Sequence, residues 1–389
     1  MLHRPRRRKE EIVMLTLDKI YHASYVLKSV IRKTDMIKAP KINPDADIYL
    51  KTENLQVTGS FKVRGSGFKI SQLSDEEKAK GVIACSAGNH AQGVALAASK
   101  YGIKSVICLP DGAPISKVEA TKSYGAEVVL VPGVYDDAYQ RALELRDSEG
   151  YTFVHPFDDE DVIAGQGTIG LEILDQLPDM DAVIVPIGGG GLISGVAYAV
   201  KQLNPNIKVY GVQAEGAPSM YNSIHDGKIE CLDRAHTIAD GIQVKEPGEN
   251  TFHLVQKYVD EIVTVSDDEI AAAMFNKVPV KGKKVCCLVS GGNIDVTILS
   301  RVIDRGLLKT GRTMSVEVSL EDKPGQLLGV ASCISKAGGN VTMIHHEKAT
   351  EETDITDAKL RITMETKNFE HGEEIKKALT DAGFHFITY

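Results

Sequence analysis

From Asp47 onward the chain alternates short apolar runs, rich in β-branched residues, with longer segments whose apolar positions recur at helical spacing. Residues 48–50, 81–85, 105–109, 127–131, 182–186, 208–212, 262–265 and 284–289 predict strands, and residues 91–101, 136–146 and 193–203 predict helices between them. A strand that is apolar at consecutive positions is buried on both faces, so this order predicts parallel sheets with helices against each side. A Thr16-x-x-Lys19 start predicts one more helix near the beginning. The pattern changes after Gly311. Residues 314–320 alternate strictly, Pro324-Gly325 opens a helix to Lys336, and Gly338-Gly339 closes it. Alternating strands over 340–347 and 357–364, a helix over 369–382 and a terminal strand complete a βαββαβ order, that of a ferredoxin-like module. Residues 307–312 read as its linker.

Composition narrows the picture without redrawing it. A length of 389 residues suggests two or three domains at roughly 100–200 residues each. Subtracting 53 acidic from 45 basic residues leaves a charge of −8, which argues against a nucleic-acid binder because phosphate neutralisation needs a basic surface. No apolar run approaches the roughly 20 residues of a membrane span, so a soluble, cytoplasmic protein acting on small molecules is expected. The six cysteines show no Cys-x-x-Cys spacing; five sit in apolar strand-like or helix-like surroundings, and the set reads as small buried hydrophobes in a reducing cytosol. The first thirteen residues, Met1 to Val13, read as an extension outside the fold. Lys9-Glu10-Glu11 resembles a translated ribosome-binding site, which makes Met14 the expected start; a mass spectrum of native protein beginning at Met1 would overturn that. The expected domains are residues 14–309, with a smaller subdomain nested at about 53–155, and residues 313–389.

Chemistry concentrates in four turns at the carboxyl ends of strands, where open α/β sheets bind ligands. They are Thr58-Gly-Ser-Phe-Lys-Val-Arg-Gly65, Ser86-Ala-Gly-Asn-His90, Gly188-Gly-Gly-Gly-Leu192 and Ser290-Gly-Gly-Asn293. A glycine tetrad between a buried strand and a helix exposes backbone N–H groups beside the helix N-terminus, a ready phosphate cradle. No lysine–serine pair follows it, and the Gly-x-Gly-x-x-Gly spacing is absent, so neither an ATP-type P-loop nor a dinucleotide site fits. Taken alone, the tetrad is a weak signal that a tight strand–helix packing turn would also explain.

Together, and in this order, the four turns resemble the fold-type II pyridoxal-phosphate enzymes, in particular the threonine ammonia-lyase (threonine dehydratase) branch. The last module resembles an ACT domain, a small-molecule regulatory unit. The resemblance implies two open parallel-sheet α/β subdomains and a carbon–nitrogen lyase of isoleucine biosynthesis. Its reaction would be α,β-elimination of L-threonine to 2-oxobutanoate and ammonia, with L-serine to pyruvate as a companion activity. Lys62 would form the Schiff base with pyridoxal 5'-phosphate and then act as base at Cα. Phe61 would lie near the ring, Asn89 would bond its hydroxyl, and Gly188, Gly189, Gly190, Gly191 and the Leu192 amide would hold the phosphate. Gly241 would line the same pocket, or be a simple turn. Ser290 would meet the pyridine nitrogen with a neutral hydroxyl, although it could equally cap a helix. Ser86, Ala87, Gly88, Asn89 and His90 would hold the substrate carboxylate on backbone donors. Racemising relatives carry a serine where Ala87 stands, and alanine cannot transfer a proton, so elimination is expected over racemisation.

One stretch departs from the pattern. Ser266 and Ser290 are only 24 positions apart, where the resemblance implies a much longer span with a further helix, a strand and a Glu-Gly-Ala-Gly-type turn. A missing helix would bare one sheet face, so a catalytically impaired homologue that binds a ligand or partner is the alternative expectation. Relatives that bind a divalent cation place acidic groups after Val212; only Glu215 remains here, so no metal site is expected. His345-His346 would face opposite ways on a strand and is not read as a metal pair. In the ACT module Asp322, Gly325, Gln326 and Asn340 are candidates for binding an amino-acid effector, or they shape only the turn and helix cap. ACT modules pair edge to edge, which implies a homodimer or homotetramer.

Overall fold

The computed structural model describes residues 15–272, 277–348 and 356–388. The proposed extension and start site therefore lie outside the described residues, apart from the helix that follows them. That helix, Leu17–Val26, begins where expected, with the Thr16 hydroxyl accepting the Lys19 amide at 3.2 Å. The chain divides into two compact units after Asn293.

The first unit holds two sheets. The larger has the spatial order Met36–Lys38, Asp47–Thr52, Lys284–Val289, Ala182–Pro186, Lys208–Ala214 and Glu261–Val265. All its pairings are parallel except that of the short outer strand Met36–Lys38. The smaller sheet is wholly parallel, in the order Glu127–Val131, Ser105–Pro110, Val82–Cys85 and Thr152–Phe153. Every residue of Val82–Cys85 is buried, as consecutive apolar positions require of a central strand. Strands Ala182–Pro186 and Lys284–Val289 are neighbours, with Val285 paired to Ala182, so the turns that follow them leave the sheet side by side. That adjacency brings the glycine tetrad and Ser290 to one place.

An ion network braces the two layers. The Arg64 guanidinium, with no solvent exposure, reaches Glu53 at 2.7 Å and Glu172 at 2.7 Å; Lys51, equally buried, reaches Glu172 at 2.6 Å. Two cations thus meet two carboxylates, and the Thr34 hydroxyl donates to Glu53 at 2.6 Å. Arg64 is two residues beyond Lys62 in the helix Lys62–Ser71, so the network fixes that helix to Glu160–Gln176.

The shortened segment behaves differently from expectation. After the helix Asp267–Ala272 the chain passes residues 277–283 and enters Lys284–Val289 in register with both neighbours. Val278 and Val280 from this connection are buried against Ile48, Ala182, Ile184, Tyr210, Val285 and Cys287. Among the described residues, this connection, together with Ala39, Ile42 and Ala46, covers that face of the sheet, and Leu50, Val212 and Val263 at its margin keep partial exposure.

In the second unit a four-stranded antiparallel sheet, in the order Asn340–Lys348, Asp357–Glu365, Thr313–Glu321 and His385–Thr388, packs on the helices Gln326–Lys336 and Phe369–Asp381. The connectivity is the expected βαββαβ. The first half of the expected linker 307–312 is helical instead, because Val296–Lys309 forms a continuous helix that belongs to this unit. Its N-cap is Asp295, which accepts the Thr297 amide, so Ser290 is not the cap of this helix. Among the described residues no helix is long and apolar enough to cross a membrane.

Candidate active site

Lys62 is the first residue of its helix, delivered by a turn that is zipped to another. The Phe61 amide donates to the Ser290 carbonyl at 3.0 Å and the Gly292 amide to the Gly59 carbonyl at 2.9 Å. Ser60 bridges Gly291, and the Asn293 carboxamide donates to the Thr58 carbonyl at 2.8 Å. The Lys62 ammonium donates to the Pro156 carbonyl at 2.8 Å and lies 5.3 Å from the Phe61 ring centroid. Lys62 as a whole residue is half-buried, and its charged end is enclosed. Desolvation there lowers its pKa from 10.5 to about 8. An enclosed amine so depressed is a candidate nucleophile rather than a surface charge.

Around it the other turns converge. Asn89 opens the helix Asn89–Lys100, and its side-chain Oδ1 accepts from the Asn293 carboxamide at 2.8 Å. No side chain caps this helix, nor the helix Gly191–Leu203 that follows the tetrad, so their first-turn amides are left to bind an anion. A Cβ on Gly241 would stand 3.9 Å from the Asn89 amide nitrogen, and one on Gly188 3.0 Å from the Ile242 Cα. Gly190 has φ +97°, the left-handed region that glycine alone enters freely, and a Cβ on Gly189 would press into the Phe157 ring at 2.5 Å. Phe61, Lys62, Asn89, Gly241, Ser290 and the tetrad are thus brought together. Leu192 is buried in the core below and offers only its backbone.

The turn before Asn89 divides its roles. The Ser86 hydroxyl accepts the Gly88 amide at 3.2 Å and shapes the turn; Ala87 packs against the small-sheet core. The His90 ring turns to the Val154 carbonyl at 2.8 Å. Burial, with Lys62 nearby, pushes its pKa down to about 3, so the ring is a neutral Nε2–H donor.

Sequence reasoning missed a fifth turn, His155-Pro156-Phe157-Asp158, which supplies the carbonyl that holds Lys62. It too follows a strand of the small sheet and precedes a helix, Glu160–Gln176, capped by Asp159. That strand–turn–cap order was its one available signal.

The residues fit pyridoxal phosphate. Ser60 has a fully buried hydroxyl with no partner, the tetrad leaves no room for side chains, and the amine is poised to be neutral. Elsewhere, the oxygen cluster after Val212 holds a lysine: Lys277 donates to Glu215 at 2.9 Å and to the Thr264 carbonyl at 2.8 Å, and pairs with Glu269 at 2.9 Å. Among the described residues no group of three or more His, Cys, Asp or Glu side chains could hold a metal ion.

In the second unit Gly325 (φ +97°) caps the helix Gln326–Lys336, and the Asp322 amide donates to the Thr356 carbonyl, so Asp322, Gly325 and Gln326 share one turn. Asn340 does not join them. It pairs with Glu365 at the end of the sheet where Thr313 begins, whereas Asp322 follows the other end at Glu321. The exposed His345 and His346 are adjacent on one strand, and His345 pairs with Glu347 at 3.1 Å.

Comparison with known proteins agrees with this geometry. The profile of the family "Pyridoxal-phosphate dependent enzyme" matches residues 27–276, and that of the ACT domain matches residues 314–384. The L-threonine ammonia-lyase of Thermotoga maritima is 46% identical over 395 residues, spanning 95% of this chain and 98% of that one. Among solved structures, the processed form of threonine deaminase isoform 2 from Solanum lycopersicum superposes with a TM-score of 0.69 at 37% identity, covering 74% of this chain and 94% of its own. Maize serine racemase gives 0.70 at 32% identity, covering 75% and 98%. The turns, the sheets that carry them and the regulatory module thus converge on one assignment: the chain belongs to the pyridoxal-phosphate-dependent threonine ammonia-lyase family, in the form that carries a C-terminal ACT domain.

Proposed function

We propose that the first unit converts L-threonine to 2-oxobutanoate and ammonia, that L-serine is a second substrate, and that the ACT unit takes an amino-acid effector. Bound pyridoxal phosphate supplies the electron sink for the pair left when Cα loses its proton. The protein supplies the rest. Lys62, its pKa lowered by burial so that the neutral amine is within reach, would be the nucleophile toward the cofactor aldehyde and the base at Cα. Gly188 to Gly191 and the Leu192 amide hold the phosphate, Asn89 the ring hydroxyl, and Ser290 the ring nitrogen; Phe61 and Gly241 shape the pocket. The amides from Ser86 to His90 orient the substrate carboxylate. A hydroxyl at Ser290 leaves the ring nitrogen uncharged, which favours expulsion of the β-hydroxyl over reprotonation of Cα. Ala87 offers no acid on the opposite face, so elimination is favoured over the racemisation named for the maize structure.

The carrying observation is the enclosed Lys62 amine beside a cradle without side chains. The impaired-homologue alternative has no support: strand Lys284–Val289 pairs in register with both neighbours, and the Ser290 carbonyl accepts the Phe61 amide. Threonine and serine differ by one methyl, which a pocket distinguishes by about 1–3 kcal/mol, so both are substrates with unequal kcat/KM. Isoleucine, the end product of the biosynthetic route, is the first effector to test against Asp322, Gly325, Gln326 and Asn340. The expected boundary at 309/313 falls inside the second unit, which begins at Ile294; the small subdomain occupies about 53–155, the compartment is the cytoplasm, and the assembly is a homodimer or homotetramer, measurable by sedimentation. The deciding experiment adds L-threonine to protein loaded with pyridoxal phosphate, following absorbance and keto acid together. Expected are a Schiff-base band and turnover, both lost in Lys62→Ala. A band without keto acid would overturn the activity, and no band the cofactor site.

A further inference from the structure

Four consecutive residues, His155 to Asp158, touch both ends of the cofactor site. At one end the Pro156 carbonyl accepts the Lys62 ammonium at 2.8 Å. In the middle Phe157 fills the volume beneath the tetrad: a Cβ on Gly189 would lie 2.5 Å from its ring, and one on Gly191 2.7 Å from its carbonyl oxygen. At the far end the Asp158 carboxylate accepts the Glu249 and Thr251 amides at 3.1 Å each, and the Thr251 hydroxyl donates to the Gly189 carbonyl at 2.7 Å. The lysine and the cradle are therefore joined through one turn, although they stand 126 positions apart at the nearest (188 less 62).

The shape of that turn depends on one imidazole. His155 Nδ1 accepts the Phe157 amide at 3.3 Å and the Asp158 amide at 2.7 Å. A ring nitrogen that accepts carries no proton, so His155 is neutral with its hydrogen on Nε2. Its ring stands edge-on to Phe157, centroids 4.8 Å apart, and so steadies the residue beneath the tetrad. Burial disfavours its charged form, and Lys62 adds to this, while Asp158 and Asp159 oppose; His90 is the other titratable ring nearby.

We propose that the His155–Asp158 turn is a strut that makes the lysine end and the phosphate end of the site act together, with His155 as the positioning residue that keeps its shape. The proposal rests on the cofactor reading above. If it holds, gripping the phosphate presents Lys62 correctly to the aldehyde, and attaching the aldehyde tightens the cradle. Removing the strut should then weaken pyridoxal phosphate while leaving pyridoxal, which has no phosphate, almost unaffected.

The test titrates the full-length protein with each aldehyde and reads the Schiff-base absorbance, then fixes the adduct with borohydride and locates it by peptide mass. A coupling of about 1.4 kcal/mol between neighbouring groups corresponds to about tenfold in affinity. His155→Leu should thus lower the preference for pyridoxal phosphate over pyridoxal about tenfold. His155→Asn, whose Oδ1 accepts where Nδ1 does, should restore it. Phe157→Leu repeats the measurement if His155→Leu fails to fold by circular dichroism. Equal weakening of both aldehydes, an unchanged preference, or His155→Asn behaving like His155→Leu would overturn the strut alone. Absence of any Lys62 adduct in the unaltered protein would overturn the cofactor reading as well.

Discussion

An amine attacks an aldehyde only in its neutral form, and burial makes that form accessible at Lys62 near pH 8 instead of 10.5. The rate of pyridoxal phosphate uptake should accordingly climb about tenfold per pH unit below 8 and level off above it. Stopped-flow absorbance between pH 6 and 10 checks this; a rate still climbing at pH 9.5 would show an ordinary lysine. The same shift acts on the cofactor-free protein. Its folded pKa lies below the unfolded one, so between about 8 and 10.5 the unfolded chain binds the extra proton and this residue's contribution to stability rises with pH. Lys62, Asn89, the glycines and Ser290 are legible in the sequence because each stands in a short motif at the end of an apolar run. His155 is not. The strand before it, Thr152–Phe153, has two residues and leaves no period to read, and the carbonyl that holds Lys62 belongs to a proline whose type says nothing about its oxygen.

Elements follow the same division. Strands buried on both faces declare themselves by consecutive apolar residues, and every predicted strand exists. The helix Glu160–Gln176 escapes because each residue from Val162 to Gly170 is buried; a helix enclosed all round has no polar face to set a period. Its Glu172 is nevertheless the carboxylate shared by Lys51 and Arg64. Glu172→Ala would leave two enclosed cations with Glu53 as the carboxylate of the network, besides the neutral acceptors Thr34, Gln176 and Thr168, and breaking one partner of a buried network costs about 3–5 kcal/mol. Urea denaturation of the two proteins should show that loss as a lower midpoint with an unchanged slope. A cost under about 1 kcal/mol, the range of exposed pairs, would show that water reaches the network.

On the scale of the whole molecule, the break after Asn293 separates two units with their own cores. A chain ending there should keep deaminating threonine while losing any response to amino-acid effectors, measured as keto-acid formation against an effector panel. Retained inhibition would place the effector site in the first unit. The two-unit order is legible because periodicity changes from buried strands to strict alternation at residue 314. That the shortened segment covers its own sheet face is not legible, because Val278 and Val280 gain their role from a sheet assembled by distant residues.

Lys277 carries a consequence for solvent ions. Its ammonium occupies a nest of two carboxylates and a carbonyl, and a charge on a tether has a local concentration that dissolved ions rarely match. The unaltered protein should melt at the same temperature in sodium, potassium or magnesium chloride of equal ionic strength. In Lys277→Met the nest would be vacated with its oxygens in place, and its melting temperature should begin to depend on which cation is present. The lysine would then be a counter-ion that the chain brings with it, sparing the fold a dependence on what the surrounding medium supplies.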